Sequence, residues 1–183
     1  MRIIAGKLRG KQLKGPKSQK IRPTEDRIKE NIFNVIGPYF HGEKILDLFS
    51  GSGAVGLEFL SRGAQFCVFV DASRQAHQLT KDNIKACKME EFSEVFLGDY
   101  QEALKNLGSL AYRFDQIYID PPYKNYVYYD QSLKKIKDLD LLQEDGQIIL
   151  EMEKDLDLSL GEDWTLKKEK IYRDTRILVV ENK

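Results

Sequence analysis

The chain has 183 residues, enough for one well-buried domain with a small extension and too few for two full domains. Charged residues make up 32% of it and its mean hydropathy is −0.48, which excludes a membrane-embedded class of protein. No apolar run approaches the roughly 20 residues that span a bilayer, and no signal-peptide pattern follows the N-terminus, so we predict a cytoplasmic protein.

The formal net charge of zero hides an uneven distribution. Residues 1–22 carry eight cations and no acid, which leaves a net charge of −8 on the remainder. Residues 2–6 and 12–16 predict two short strands around a turn at 7–10. A basic hairpin on an acidic body is typical of a protein that binds a polyanion at one end, and the alternative is a solvated, disordered tail. The candidate nucleic-acid contacts are Arg2, Lys7, Arg9, Lys11, Lys14, Arg22, Thr24 and Arg27.

Beyond this 1–22 extension, a domain over 23–183 begins with a helix whose predicted N-cap is Thr24 and which ends at Gly37-Pro38. Strands and helices then alternate. The predicted strands are 44–49, 66–70, 94–97, 114–119, 147–151, 165–172 and 176–181, and the predicted helices are 53–62, 73–88, 101–107 and 131–142. This order predicts an α/β fold, Rossmann-like and doubly wound, with a mostly parallel seven-stranded sheet closed by a C-terminal antiparallel hairpin.

A glycine-rich segment follows the first predicted strand of the sheet. Gly51, Gly53 and Gly56 form a literal G-x-G-x-x-G at the start of a helix, and Asp71 ends the next strand twenty residues after Gly51. A carboxylate at that position can accept both hydroxyls of a ribose. The pattern predicts a cofactor that carries a nucleoside.

Asp47 decides which cofactor the glycine loop favours. A dinucleotide would put its pyrophosphate on the loop, where a nearby carboxylate repels it, whereas S-adenosylmethionine offers a cationic amino group and a sulfonium. Asp99 can accept from the adenine amino group beside Tyr100, and the alternative for Asp99 is a helix N-cap. The predicted cofactor is S-adenosylmethionine, and the predicted cofactor residues are Asp47, Phe49, Ser50, Gly51, Gly53, Asp71, Ala72, Asp99, Tyr100 and Asp120.

Asp120-Pro121-Pro122-Tyr123 directly follows the predicted strand at 114–119. Two consecutive prolines form a stiff turn with free carbonyls, so Asp120 and the Pro121 carbonyl can accept both N–H groups of an exocyclic amine. Tyr123 supplies an aromatic face for a flat ring. We therefore predict Asp120, Pro121 and Tyr123 as catalytic residues. For Tyr126, Tyr128 and Tyr129, a lid over the base and core packing remain equally open.

The cysteine and histidine residues indicate no metal site. Cys67 and Cys87 have no metal-ligand spacing with each other or with His41 and His77, so we predict reduced structural thiols and no metal.

Several motifs together resemble one family of enzymes. The matching segments are Arg2-Ile3-Ile4-Ala5-Gly6, Arg9-Gly10, Arg22-Pro23-Thr24 with Arg27 and Glu30, Phe33-Asn34, 47–53, 60–64 and 120–123. The sequence resembles the RsmD family, class I S-adenosylmethionine-dependent methyltransferases of the Asp-Pro-Pro-Tyr type that act on the guanine N2 of bacterial small-subunit rRNA. One departure is Arg173, where the family pattern has glycine, and it concerns the C-terminal hairpin turn.

The resemblance implies methylation of a guanine N2 amino group in 16S rRNA, at the nucleotide conventionally numbered 966. The implied partner is the small ribosomal subunit, with a monomeric enzyme. Three alternatives use the same motifs: an adenine-N6 methyltransferase, a protein-glutamine methyltransferase, and a ribosome-assembly binding protein that retains the fold without turnover. No segment is large enough for a separate DNA-reading domain, and the basic hairpin argues against a protein substrate.

Overall fold

A computed structural model of the chain describes residues 1–16, 23–122 and 126–183. The strands are β1 Lys44–Asp47, β2 Phe66–Asp71, β3 Ser93–Leu97, β4 Phe114–Ile119, β5 Leu142–Glu153, β6 Trp164–Tyr172 and β7 Thr175–Asn182. The helices are α1 Pro23–Ile36, α2 Ala54–Ser61, α3 Arg74–Cys87, α4 Tyr100–Ser109 and α5 Tyr126–Asp138, with a short 3-10 turn at Glu90–Phe92.

The seven strands form one sheet in the order β3-β2-β1-β4-β5-β7-β6. Strands β1 to β5 are parallel, and β7 pairs antiparallel with both β5 and β6. The predicted doubly wound, mostly parallel sheet and its C-terminal hairpin are therefore confirmed. Arg173 takes a left-handed φ of 52° in the hairpin turn, where glycine is favoured, and the turn forms with arginine there.

Helices cover both faces of the sheet. Helices α4 and α5 pack on one face, around Leu46, Val68, Ile117 and Leu150. Helices α1, α2 and α3 pack on the other face, together with Met1, Ile3 and Leu13 of the N-terminal segment. The carboxyl ends of β1 to β5 consequently open at one edge of the sheet, where ligands bind in folds of this type.

Several predicted element boundaries are wrong. Helix α5 ends at Asp138 rather than 142, and strand β1 ends at Asp47 rather than 49. Helix α1 includes Pro23, which suits the first helical position, so Thr24 lies inside the helix and is not its N-cap. Helix α5 begins at Tyr126 rather than 131, because packing of its aromatic side chains outweighs their weak helix propensity. Strand β5 begins at Leu142 rather than 147, with an irregularity in its pairing before Gln147.

The N-terminal segment 1–16 forms a hairpin and is fastened to α2. Arg2 pairs antiparallel with Gln12, and the Ile3 amide donates to the Lys11 carbonyl at 2.9 Å. The buried carboxylate of Glu58 accepts from the amides of Ile4 and Ala5 at 2.8 and 2.9 Å. Two cations balance its charge, Arg62 at 2.8 Å and Lys29 at 3.6 Å. The segment thus turns back on itself as predicted, but Arg2 and Gln12 form only an isolated bridge, so the predicted strands at 2–6 and 12–16 are wrong. Lys17, Lys20 and Arg22 lie outside the described residues.

Two further observations concern the described part of the chain. Cys67 and Cys87 are both free and buried, which confirms the prediction of structural thiols. Within residues 1–16, 23–122 and 126–183, none of the helices has the length and apolar character needed to cross a membrane.

Candidate active site

Two loops meet where the neighbouring strands β1 and β4 end. Asp47, the last residue of β1, lies opposite Tyr118 of β4, and the Leu48 amide donates to the Tyr118 carbonyl at 3.0 Å. The glycine loop at 48–53 and the Asp120-Pro121 turn therefore leave the sheet side by side. The cofactor loop and the proposed acceptor pair, 67 residues apart at Gly53 and Asp120, share one edge of the sheet.

The glycines of the loop have distinct structural roles. Gly53 takes a left-handed φ of 75° directly before α2, and a side chain there would also approach Thr80 at 2.9 Å. At Gly56 a Cβ atom would lie 2.3 Å from the ring of Phe69 and 2.7 Å from the sulfur of Cys67. Helix α2 can thus pack tightly on β2 and direct the loop toward the strand ends.

Asp71 fastens the glycine loop to the end of β2. One carboxylate oxygen accepts from the Gly51 amide at 2.9 Å and the other from the Ser73 amide at 2.8 Å. Each oxygen has a second lone pair, so the carboxylate can still accept from a ribose hydroxyl. Ala72, beside it, is exposed. The structure therefore adds to the predicted ribose contact a role for Asp71 in holding the loop.

Asp47 is buried beneath the loop, with 1% of its surface exposed. Its Oδ2 accepts from the Gly56 amide at 3.0 Å, while Oδ1 has no hydrogen-bond partner among the described residues. Burial, with a smaller contribution from the charge of Asp71, raises the pKa of Asp47 to about 7, although the Gly56 hydrogen bond opposes the shift. The buried hydroxyl of Ser50 also lacks a partner within the described part of the chain.

Asp99 and Tyr100 lie at the end of β3, one strand beyond Asp71. Asp99 accepts from the Gln101 amide at 2.8 Å and is the N-cap of α4, so the helix-cap alternative is confirmed. Its exposed carboxylate retains further acceptor capacity for an adenine amino group. Tyr100 is buried and donates its hydroxyl hydrogen to Gln131 at 2.6 Å.

An aromatic cluster of Phe49, Tyr100 and Tyr128 links the glycine loop to α4 and α5. The ring centroids lie 5.3 to 6.0 Å apart in tilted and edge-on arrangements. Tyr129 is a core residue, 2% exposed, whereas Tyr126 is 56% exposed at the start of α5. Core packing therefore accounts for Tyr129, and Tyr126 remains available at the surface beside the Asp120 turn.

The Asp120 turn has one buried and two exposed members in its described part. Asp120 and Pro122 are exposed, and Pro121 is buried. Asp120 directly follows Ile119 at the end of β4, as predicted, so it lies at the edge of the sheet where the cofactor loop also lies. Tyr123 lies outside the described residues.

Sequence reasoning did not identify a buried polar pair beneath the Asp120 turn. The Tyr118 hydroxyl donates to the Glu151 carboxylate, and the Tyr129 hydroxyl donates to the Glu151 carbonyl at 2.6 Å. Burial raises the pKa of Glu151 and of the Tyr118 phenol. A carboxylate at the carboxyl end of a buried strand was the available signal, since the prediction of a strand at 147–151 ends on Glu151.

Asn83 is a second residue that sequence reasoning missed. This fully buried amide accepts from the Lys14 amide at 2.8 Å and donates to the carbonyls of Lys14 and Ser52 at 3.0 and 2.9 Å. It thereby connects the basic N-terminal segment to the glycine loop. A polar residue on the apolar face of the predicted helix was the signal in the sequence.

The predicted nucleic-acid contacts lie in two places, some near the glycine loop and others near the far end of α2. Lys14 lies near the glycine loop through Asn83, and Arg2 pairs with Asp26 of α1. The Lys7 amide donates to the Ser61 carbonyl, at the far end of α2 and about 10 Å along its axis from Ala54. Arg9 and Lys11, which are exposed, belong to the same hairpin, and Arg27 is exposed on α1. Arg22 and the side chain of Thr24 lie outside the described part.

The chain is similar to known proteins over nearly its whole length. The sequence model of the family described as "Conserved hypothetical protein 95" matches residues 1–181. YlbH of Bacillus subtilis is 41% identical over 162 residues, 86% of this chain and 85% of that protein. Ribosomal RNA small subunit methyltransferase D of Haemophilus influenzae is 36% identical over 171 residues, 93% of this chain and 88% of that protein. The solved structure of yhhF from Escherichia coli has a TM-score of 0.86 at 26% identity, covering 100% of this chain and 98% of that one.

The sheet order, the glycine loop and these similarities define a class I methyltransferase of the S-adenosylmethionine-dependent type. SMU.776, a structure solved as a complex with SAH, has the same fold at 16% identity with a TM-score of 0.70. Within this class, the chain belongs to the RsmD family of rRNA methyltransferases.

Proposed function

We propose that this rRNA methyltransferase transfers a methyl group from S-adenosylmethionine to the N2 amino group of guanine 966 in 16S rRNA, on the small ribosomal subunit. The observation that carries the proposal is the adjacency of the Asp120-Pro121 turn and the glycine loop at the ends of β4 and β1. The name of the Haemophilus influenzae relative supports the small-subunit substrate. A cytoplasmic location and a monomeric enzyme are part of the proposal.

The residues of the glycine loop fit the proposed cofactor. The buried, unpartnered Oδ1 of Asp47 is an acceptor suited to a cationic amino group, and the loop is free of lysine and arginine that would favour a pyrophosphate. Asp71 would hold the ribose, and Asp99 would accept from the adenine amino group. Phe49 would lie beneath the cofactor. When bound, S-adenosylmethionine supplies an electrophilic methyl group attached to a positively charged sulfur.

Asp120 and Pro121 would hold the amino group that receives the methyl. The lone pair of an exocyclic amine is delocalised into its ring, so the nitrogen is a weak nucleophile. Two N–H hydrogen bonds, to the Asp120 carboxylate and the Pro121 carbonyl, would favour a tetrahedral nitrogen and orient its lone pair. The nitrogen would gain the new N–C bond as the bond between sulfur and methyl breaks with its electron pair left on the sulfur. The nitrogen would carry a positive charge that Asp120 stabilises, and it would then lose a proton to Asp120 or to water.

The target base must leave its stack to reach this edge of the sheet, and RNA loops provide such bases at low cost. Tyr123 would stack on the base, a contact worth about 1–3 kcal/mol in single-strand platforms. Arg2, Lys7, Arg9, Lys11, Lys14, Arg22, Thr24 and Arg27 would contact the flanking RNA.

Transfer of labelled methyl to three substrates in parallel tests the proposal. The substrates are small ribosomal subunits from cells that lack this modification, naked DNA, and a protein extract. We expect label on 16S rRNA alone. Label on DNA would favour an adenine-N6 methyltransferase, label on protein would favour a glutamine methyltransferase, and SAH binding without any transfer would favour an assembly factor.

A further inference from the structure

Helix α3 carries a row of cations that the proposed RNA contacts do not include. Lys81, Lys85 and Lys88 lie four and three residues apart along α3 and its C-cap, and all three are exposed. Side chains at this spacing share one face of a helix and here span about 10 Å along its axis. Like charges four residues apart, such as Lys81 and Lys85, destabilise a helix by about 0.2–0.5 kcal/mol. This repulsion offsets part of the stabilisation that the helix macrodipole gives to Lys85 in the last turn.

The backbone at Lys88 gives a second indication. Lys88 is the C-cap of α3 and takes a left-handed φ of 56°, a conformation in which glycine or asparagine is favoured. The macrodipole of α3 favours a cation at this end, but glycine would remove the backbone strain. A lysine at this position is thus better explained by what its side chain contacts.

The basic N-terminal hairpin runs alongside this row. Lys14 contacts Asp82 of α3 at 3.0 Å, and the charge of Lys11 acts on Cys87 at the end of α3, where it opposes the burial that raises the pKa of the thiol. Beyond the helix, the Lys7 amino group lies 5.0 Å from the ring centroid of Phe92. The hairpin and α3 therefore present two neighbouring rows of cations down the same side of the domain.

Acidic groups on this side of the domain are few. Asp82 accepts from Lys14 and from Gln78, and these hydrogen bonds lower its pKa. Glu90 and Glu91 follow the last lysine of the row at the end of the helix. This basic side contrasts with the net charge of −8 on the chain outside residues 1–22.

We propose that Lys81, Lys85 and Lys88 bind phosphates of the RNA that flanks the target nucleotide, together with Lys7, Lys11 and Lys14. The inference rests on the proposed rRNA substrate. A span of about 10 Å matches about three phosphates of one strand of a duplex, at about 3.4 Å of axis per phosphate. The surface begins at Lys14, which Asn83 links to the glycine loop, and extends away from the Asp120 turn. It would hold the RNA without touching the reacting atoms.

The double variant Lys81→Gln/Lys85→Gln tests the inference, with Lys105→Gln/Lys134→Gln as a matched control. Lys105 and Lys134 are exposed on α4 and α5, which pack on the opposite face of the sheet. For the α3 variant we expect the KM for small subunits to rise about 3- to 10-fold at unchanged kcat. The slope of log affinity against log salt should fall by about 1.8, since each lost contact with a duplex phosphate contributes about 0.9.

Equilibrium binding of small subunits, measured on the same variants, separates this inference from the proposed function. A wild-type protein that binds small subunits without methylating them would contradict the proposed reaction. The role of α3 would then still be tested by the salt dependence of binding. A KM, affinity and salt slope equal to those of the wild type and of the α4/α5 control would overturn the role of α3. A wild-type protein with no affinity for small subunits would overturn both.

Discussion

Asn83 donates a hydrogen bond to the carbonyl of Ser52 at 2.9 Å and so anchors the middle of the glycine loop to α3. The same side chain pairs with both backbone groups of Lys14. Asn83 itself is fully buried, and these three hydrogen bonds are part-buried. The basic segment and the cofactor loop are therefore parts of one hydrogen-bonded unit.

Substitution of Asn83 by alanine should destabilise the protein and loosen the loop. Three part-buried hydrogen bonds to the backbone are lost, and a typical one contributes about 0.5–1.5 kcal/mol. We expect the free energy of unfolding in urea to fall by at least about 2 kcal/mol, and amide hydrogen exchange at Gly51 and Gly53 to accelerate. Gln78→Ala, at an exposed position of α3, is the control. Unchanged stability and exchange in Asn83→Ala would show that the anchor has no energetic role.

The buried Asp47 should make stability depend on pH. Its folded-state pKa of about 7 lies above the unfolded value of 3.8, so the folded state binds more protons between these limits. Stability due to this group is fully present below about pH 4 and is lost as the pH rises through about 7. At about 1.4 kcal/mol per pKa unit, the free energy of unfolding of the wild type relative to Asp47→Asn should fall by about 3 kcal/mol from about pH 5 to pH 8. Parallel curves for the two proteins would contradict the buried, protonated state.

The same carboxyl should release a proton when the cofactor site is filled. A cationic amino group beside Asp47 would lower its raised pKa, so SAH binding near pH 6.5 should release a fraction of a proton and strengthen as the pH rises toward about 8. Calorimetry in buffers of different ionisation enthalpy measures this directly. Asp47→Asn should abolish the proton release. Equal proton release by the variant would assign it to another group.

Tyr118, two residues before Asp120, donates a hydrogen bond to the carboxylate of Glu151. Tyr118→Phe removes a hydrogen bond that lowers the pKa of Glu151, so the pKa of this carboxyl should rise further. The loss of a donor to this half-buried carboxylate should reduce the free energy of unfolding by about 1–3 kcal/mol. Tyr112→Phe, which removes a part-buried hydrogen bond to Glu94, is the matched control. If both variants lose the same amount, the Tyr118 contact has no special weight.

The fold class could be predicted from the sequence, and the candidate site residues could be located at strand ends, because both depend on local signals. Gly53 needs a left-handed backbone, Gly56 needs close helix packing, and the Asp120-Pro121-Pro122 run must leave a strand. Carboxylates at strand ends must then meet at one edge of a parallel sheet. These requirements can be recognised without knowing which distant residues are in contact.

The contacts that sequence reasoning missed all depend on distant partners. Asn83 finds Lys14 and Ser52 across 69 and 31 residues, and Tyr118 finds Glu151 across 33. The burial of Asp47 likewise follows from the packing of α2 rather than from its position before the glycines. The start of α5 at Tyr126 was missed because aromatic residues have weak helix propensity when considered alone.

Asp120 should be required for transfer and dispensable for cofactor binding. Asp120→Asn keeps the shape of the side chain and one acceptor oxygen but loses the negative charge, so it can neither stabilise the positive charge on the methylated nitrogen nor take its proton. We expect kcat to fall by about 100-fold or more, with the Kd for SAH within about 3-fold of wild type. Asp130→Asn, at an exposed position of α5, is the control. A variant with near-wild-type turnover would remove Asp120 from the mechanism.

The most direct test is to identify the methylated nucleoside. Small subunits lacking this modification would be treated with wild-type protein or Asp120→Asn and labelled S-adenosylmethionine, and their 16S rRNA digested and separated by mass spectrometry. We predict N2-methylguanosine from position 966 with the wild type and a near-complete loss with the variant. N6-methyladenosine, or label confined to ribosomal protein, would contradict the proposed function.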